Sequence, residues 1–314
     1  MNIIDVIPIS KGIGLDTLSY FTTKEATLGA IVDIPLRNKK VQGIVVAVKP
    51  AQDMKSEIKS VGFALKKIEK FKSTEFFSKA FMDMTKDIAD YYATSIGAVL
   101  DVLVPEYILK NVGKLETVES TVEIKSVREK YAVQGNDEER YGTWKSLIRQ
   151  EFAKKRSVLL ITPTIEDAEH SFELIEKGIE GYAFILHGAL TPKKIVEVWN
   201  KIMLEEHPVV IITTGGFLSI PRKDVETIVV ERESNKAYKV PRRPFLDIRK
   251  CAEILAEKRN IKIFFADNFL RVETLWREQE GDIVQASPFK FRSLSTATDT
   301  LIDMKMYKTP NSSF

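Results

Sequence analysis

Val158-Leu-Leu-Ile-Thr162 is an unbroken apolar run of strand length that ends on a hydroxyl residue. Runs of the same kind recur at Ala183-Phe-Ile-Leu-His187, Val209-Val-Ile-Ile-Thr-Thr214, Thr227-Ile-Val-Val-Glu231 and Ile261-Lys-Ile-Phe-Phe-Ala266. Amphipathic stretches lie between them. One covers about 138–154, with Trp144, Leu147, Ile148 and Phe152 on a single face; another carries Ala168, Phe172, Leu174 and Ile175. A third starts near Thr191, with Pro192 at a first-turn position and Val196, Trp199 and Met203 inside, and a fourth covers about 244–259. Strands that are apolar throughout and alternate with helices predict an α/β lobe whose parallel sheet is covered on both faces.

Upstream of this lobe the pattern changes. Residues 1–50 read as β: Val6-Ile-Pro-Ile9, Leu18-Ser-Tyr-Phe21 after a turn with Gly12 and Gly14, then Leu28–Pro35 and Val41–Val48 joined by the polar pentad Leu36-Arg-Asn-Lys-Lys40. Phe63–Ile68 is a further strand candidate. Phe77, Ala80, Phe81, Met84, Ile88, Tyr91 and Tyr92 recur at helical spacing and predict a helix over 74–92, capped by Thr74 or Ser73. The apolar piece Ile96–Val104 stops at Pro105. The expected fold is therefore a small α+β N-terminal domain over 1–105, built as a barrel-like sheet plus helix. A linker over 106–130, the α/β lobe over 131–308 and a loose tail over 309–314 complete it.

With 314 residues, 44% hydrophobic and 29% charged, the chain has the composition of an ordinary globular protein of about two domains. No apolar run approaches the ~20 residues needed to cross a bilayer, and no secretory leader pattern opens the chain, so a cytoplasmic location is expected. The single cysteine, Cys251, lies in an apolar pattern and reads as a core thiol; it leaves no pairing for a disulfide or a cysteine-based zinc cluster. His170, His187 and His207 lack ligand spacing, so no metal is expected. A net charge of +3 permits nucleic-acid binding without requiring it.

At the start of the lobe, where a nucleotide-driven motor holds phosphates, the chain reads Tyr131-Ala-Val-Gln-Gly-Asn-Asp-Glu-Glu-Arg140. A phosphate loop needs glycines that let backbone N–H groups close on the anion, a lysine to neutralise it and a hydroxyl for Mg²⁺. No stretch has that spacing, and Asp137, Glu138 and Glu139 place negative charge near the seat.

Several segments resemble the primosomal protein N′ family, the replication-restart helicases. Ile31-Val-Asp-Ile-Pro-Leu-Arg-Asn-Lys-Lys-Val-Gln-Gly-Ile-Val-Val46 is similar to the signature near the family's start. Asp87-Ile-Ala-Asp-Tyr-Tyr-Ala-Thr-Ser-Ile-Gly-Ala-Val-Leu100 followed by Val104-Pro105 is similar to a second, more specific segment. Leu160–Pro163, Leu186–Leu190 with Trp199, Ile211–Pro221, Ile228–Lys239 and Leu301–Met304 resemble parts of the first helicase lobe. The resemblance implies a 3′ DNA-binding domain joined to a RecA-like lobe. It also locates departures: the acidic ATPase motif reads Glu231-Arg-Glu-Ser234, and the zinc insertion and the second lobe have no counterpart. Arg232 cannot act as a proton acceptor.

The expectation is a degenerate member of that family that binds forked DNA or a single-stranded 3′ end without catalysis, with no cofactor and no metal. DNA is the expected partner, with replication-restart proteins beside it. In the family's 3′-end pocket Ser19, Tyr20 and Arg37 would stand, with Ser19 hydrogen bonding and Tyr20 stacking. Lys39 and Lys40 extend the cationic tip, and a second basic tract holds Lys236, Tyr238, Lys239, Arg242 and Arg243. Phe289-Lys-Phe-Arg292 is a third cationic and aromatic candidate, more readily read as an edge strand. The alternatives are a protein-interaction scaffold that has lost DNA binding, and a residual ATPase or helicase completed by another chain.

Overall fold

The computed structural model describes residues 2–10, 17–36, 39–50, 65–68, 70–117 and 129–289. Arg37, Lys290–Arg292, Leu301–Met304 and the expected tail lie outside them.

The N-terminal sheet is antiparallel, in the order β2-β1-β4-β3-β5, from β1 (Asn2–Pro8), β2 (Leu18–Thr22), β3 (Ala30–Leu36), β4 (Lys39–Pro50) and β5 (Phe71–Glu75). Side chains alternate between its faces, and Ile4, Val6, Tyr20, Val32, Ile34 and Val45 fill one side as a core of their own. Residues 66–68 hydrogen bond to Phe21 on one edge, and β5 pairs with β3 on the other, so one segment draws the sheet toward a barrel. Leu36 pairs with Lys39, which puts Lys39 and Lys40 at the start of β4 and not in the loop expected over 36–40.

The helix expected over 74–92 is shorter. Residues 71–75 are claimed by β5, where the Ser73 hydroxyl accepts from Ile31 N–H (3.4 Å). Helix α1 runs over Lys79–Tyr91 and is capped by Ser78, not by Ser73 or Thr74. Ser95 caps α2 (Ile96–Leu103), and Pro105 precedes α3 (Glu106–Asn111). Residues 106–115, expected within a linker, are ordered by burial of Ile108, Leu109, Val112 and Leu115.

The second sheet is parallel, in the order β12-β6-β11-β10-β7-β9-β8. Its strands are β6 (Lys130–Gln134), β7 (Ser157–Thr162), β8 (Ala183–Leu186), β9 (Val210–Thr214), β10 (Val225–Glu231), β11 (Lys262–Asp267) and β12 (Val284–Gln285). The helices are α4 (Asp137–Ala153), α5 (Ile165–Ile175), α6 (Pro192–Leu204), α7 (Ile248–Arg259) and α8 (Val272–Gln279). This is the α/β lobe with a parallel sheet that the apolar runs imply. Strand β6 and helix α8 carry no strong pattern and were not expected.

Alternate residues of the parallel sheet face two different cores. Val133, Leu160, Ile212 and Val229 meet Trp144 and Ile148 of α4 and Ala168 and Ile175 of α5. Ala132, Ile161, Ile211, Val230 and Phe265 meet α6 and α7, and this second core continues without a break into Phe76, Phe77, Phe81, Met84 and Ile88 of the N-terminal half. Phe76 stacks on Trp199 (5.9 Å between rings), and Trp199 Nε1 donates to Glu116 O (3.0 Å). The two halves are one hydrophobic body. No helix among the described residues is long and apolar enough to cross a membrane.

A charged cluster ties the far side of the lobe. Glu253 of α7 is 3% exposed. It meets Lys130 of β6 at 2.8 Å, Lys250 at 3.3 Å and Arg277 of α8, while Lys130 also reaches Asp282 at 3.1 Å. Burial pushes the Glu253 carboxyl up, but Lys130 and Arg277 outweigh it and hold the group down at about 2, against an ordinary 4.5. A depressed folded-state value stabilises above the unfolded value and is lost as pH falls toward the folded one. We expect a stability loss on the order of 3 kcal/mol between pH 4.5 and pH 2 from this carboxylate. Chemical denaturation across that window should show Glu253→Gln with a flattened acid limb; a limb parallel to the wild type would remove Glu253 from the role.

Candidate functional site

The carboxyl ends of the parallel strands form the edge where open α/β sheets bind ligands. Here the connection from β6 to α4 consists of Gly135 and Asn136 alone. Such a link is too short to curl around a phosphate. Asn136 instead caps α4: its Oδ1 accepts from Glu139 N–H (2.9 Å), and the Glu139 carboxylate accepts from Asn136 N–H (3.0 Å). The acidic first turn therefore answers the positive end of its own helix. A Cβ on Gly135 would approach Glu139 Oε2 to 2.9 Å, so the turn is closed down on its cap.

Side chains fill the space beneath. Arg140 is 1% exposed and Glu231 is fully buried; they meet at 2.6 Å (Nη2) and 2.8 Å (Nε). Trp144 Nε1 donates to the other Glu231 oxygen (2.8 Å), and Arg140 also donates to Gly135 O (2.6 Å) and Asp137 (2.7 Å). Arg232, at φ +52°, turns outward and bridges Asp137 (3.0 Å) and Asp167 (2.9 Å). Burial pushes the Glu231 carboxyl up, opposed by Arg140 and Trp144. Against the cost of its partial burial, Arg140 and Arg232 hold the Asp137 carboxyl below its usual range. The strand-end carboxylate of Glu231 and Arg140, 91 positions apart in sequence, thus neutralise each other, and neither faces solvent.

The basic tract forms a closed loop beside this edge. Lys236–Tyr238 is a 3₁₀ turn capped by Asn235, and Val240 N–H donates to Leu246 O (2.8 Å) across the loop's base. Lys236, Lys239, Arg242 and Arg243 are exposed. Tyr238 is not available for stacking. It is 1% exposed, and its hydroxyl donates within the core to Glu231 O (2.5 Å) and Ile161 O (2.9 Å), with the Arg249 guanidinium over its ring (5.5 Å). The exposed aromatic of this loop is Phe245, 57% exposed and held at φ +58°. Sequence reading missed it because it is a lone aromatic between a proline and a leucine.

In the N-terminal sheet Ser19 and Tyr20 do not converge. Adjacent strand residues point to opposite faces. Ser19 is exposed and donates to Asp5 (2.7 Å), which also pairs with Lys49 (3.2 Å). Tyr20 is 4% exposed, its hydroxyl donating to Pro35 O (3.4 Å), so its expected stacking role is corrected to one of core packing. Lys39 and Lys40 are exposed; Arg37 is outside the described residues.

Removing one member of a buried ion pair leaves the other charge uncompensated, at about 3–5 kcal/mol. Arg140→Ala should destabilise the protein by that amount, and Arg140→Met with Glu231→Met should recover most of it; urea titration of the three proteins measures both. Equal stability of Arg140→Ala and wild type would mean the pair is not the filling of this edge.

The family model of the 3′ DNA-binding domain (3′BD) matches residues 8–105. The Replication restart protein PriA of Helicobacter pylori is 26% identical over 259 residues, 78% of this chain and 40% of the relative. Its counterpart from a second strain is 25% identical over the same shares. Among solved structures, the UvsW helicase from Bacteriophage T4 aligns over 76% of this chain and 79% of that one, at 12% identity and a TM-score of 0.35. The chain spans about two fifths of the length of the curated relatives it matches. With the 3′BD match over its antiparallel sheet and similarity to PriA along 78% of its length, the chain is PriA-like.

Proposed function

We propose that this protein binds forked DNA or a single-stranded 3′ end in replication restart, and that it does so without ATP-driven unwinding. The observation that carries the second half is the buried Arg140–Glu231 pair under a two-residue turn. Phosphoryl transfer rests on positioned positive charge around the phosphates. At this edge the positive charge is already spent on Glu231, Asp137 and Asp167. The first half is supported by the 3′BD match over 8–105 and by the exposed cations Lys39, Lys40, Lys236, Lys239 and Arg243. Phe245 supplies the flat apolar face on which a base stacks.

A second reading has an observation of its own. Phe269, Val272 and Trp276 are 67%, 79% and 59% exposed at and near α8, with Val272 and Trp276 one helical turn apart. Such a stripe favours a protein contact, and a scaffold that has lost DNA binding would use it.

Fluorescence anisotropy of labelled forks, with and without a free 3′ end, separates these readings. DNA binding through several phosphates should weaken steeply with salt, with a log–log slope of about −0.7 per phosphate on single strands. Phe245→Ala should cost about 1–3 kcal/mol of binding. Negligible affinity for both forks at low salt would leave the scaffold reading. Saturable micromolar binding of labelled ATP with Mg²⁺ would overturn the reading of the filled edge.

A further inference from the structure

The loop over 240–246 is gripped from outside the lobe. Arg242 Nη1 donates to Asp101 Oδ2 (2.9 Å) and its Nη2 to Asp101 O (3.0 Å). At the base of the same loop, Asp247 N–H donates to the Tyr92 hydroxyl (3.0 Å). Asp101 belongs to α2, and Tyr92 caps α1. Both anchors therefore come from the N-terminal half.

Helix α2 is itself seated on the N-terminal sheet. A Cβ on Gly97 would fall 2.0 Å from Pro8 O, so the first turn of α2 rests against the end of β1 with no room for a side chain. The path from β1 through α2 to the basic loop is thus short and made of close contacts. Arg242, meanwhile, is poorly placed as a phosphate ligand. Asp101 engages each of its terminal nitrogens through one N–H, so a phosphate using the remaining donors would have to settle beside the Asp101 carboxylate. Its neighbours Arg243 and Phe245 carry exposed side chains.

We propose that Asp101 and Arg242 form a latch, in which the N-terminal half fixes the 240–246 loop so that Arg243 and Phe245 are presented in the conformation that binds a strand. Arg242 is then a positioning residue and not a DNA contact. The latch links the two halves functionally: an N-terminal sheet that holds one part of the DNA also sets the loop that holds another. The binding consequence rests on the DNA reading above.

The two roles of Arg242 give opposite results at Asp101. If Arg242 contacts phosphate, Asp101→Ala removes a repelling charge and leaves affinity unchanged or tighter. If it is a latch, Asp101→Ala loosens the loop and weakens binding. We expect Asp101→Ala and Arg242→Ala in the full chain each to weaken fork binding about three- to fivefold, the upper range for one partly exposed ion pair. The salt slope should not change, since no phosphate contact is lost. The exchanged pair, Asp101→Arg with Arg242→Asp, should return affinity to within about twofold of wild type. Unchanged or tighter binding by Asp101→Ala, or a shallower salt slope in Arg242→Ala without rescue by the exchange, overturns the latch. Hydrogen exchange over 240–246 is read on the same proteins. It should rise in Asp101→Ala and fall back in the exchanged pair. A wild-type chain that binds no DNA defeats the DNA reading alone; the latch is then decided by exchange, and identical loop exchange in wild type and Asp101→Ala defeats it.

Discussion

A guanidinium and a carboxylate that both lie out of water must meet, because either alone would cost several kcal/mol. That requirement, met by Arg140 and Glu231, organises the carboxyl edge of the parallel sheet. It sets where α4 crosses, since Arg140 and Trp144 must both reach the end of β10. It shortens the turn before α4, since Arg140 also holds Gly135 O. It leaves Arg232 to turn outward and gather Asp137 and Asp167. The Glu231 carbonyl then receives the Tyr238 hydroxyl, which fixes the start of the basic loop. One buried pair thereby connects the carboxyl edge of the parallel sheet to the surface that presents cations.

Most of the lobe was legible because its signals are redundant. Runs such as Val158–Thr162 and Val209–Thr214 have one sensible placement, and helices capped by Thr164 and Thr191 announce their own starts. The weakly patterned elements were lost. Strand β6 reads Lys-Tyr-Ala-Val-Gln, and its pairing comes from β11 and β12 rather than from its own composition. Helix α8 packs Leu275 against the core but leaves Val272 and Trp276 exposed, which blurs the one-faced apolar pattern that marks a helix.

At the candidate site, residue type was a weaker guide than periodicity. Ser19 and Tyr20 are neighbours in sequence, but strand alternation sends them to opposite faces, and the exposed serine implies the buried tyrosine. Arg140 lies four residues before Trp144 and eight before Ile148, so its spacing alone puts a charge on the apolar face of α4. Tyr238 was counted with the cations around it, while the hydroxyl contacts that bury it come from residues 7 and 77 positions away. Those contacts belong to tertiary structure and have no local trace.

The continuous core under α1, α6 and α7 has a consequence for how the chain comes apart. Pro105, where the 3′BD match ends, lies 3.3 Å from the place a Cβ of Gly216 would occupy, so the recognisable boundary falls inside packed material. Cutting there would bare Phe76, Phe77 and Trp199 together. The segment matched by the family model and the packed core therefore have different boundaries. Core residues of α1, α2, α3, α6 and α7 join the two sheets, so an opening of either half exposes apolar surface of the other.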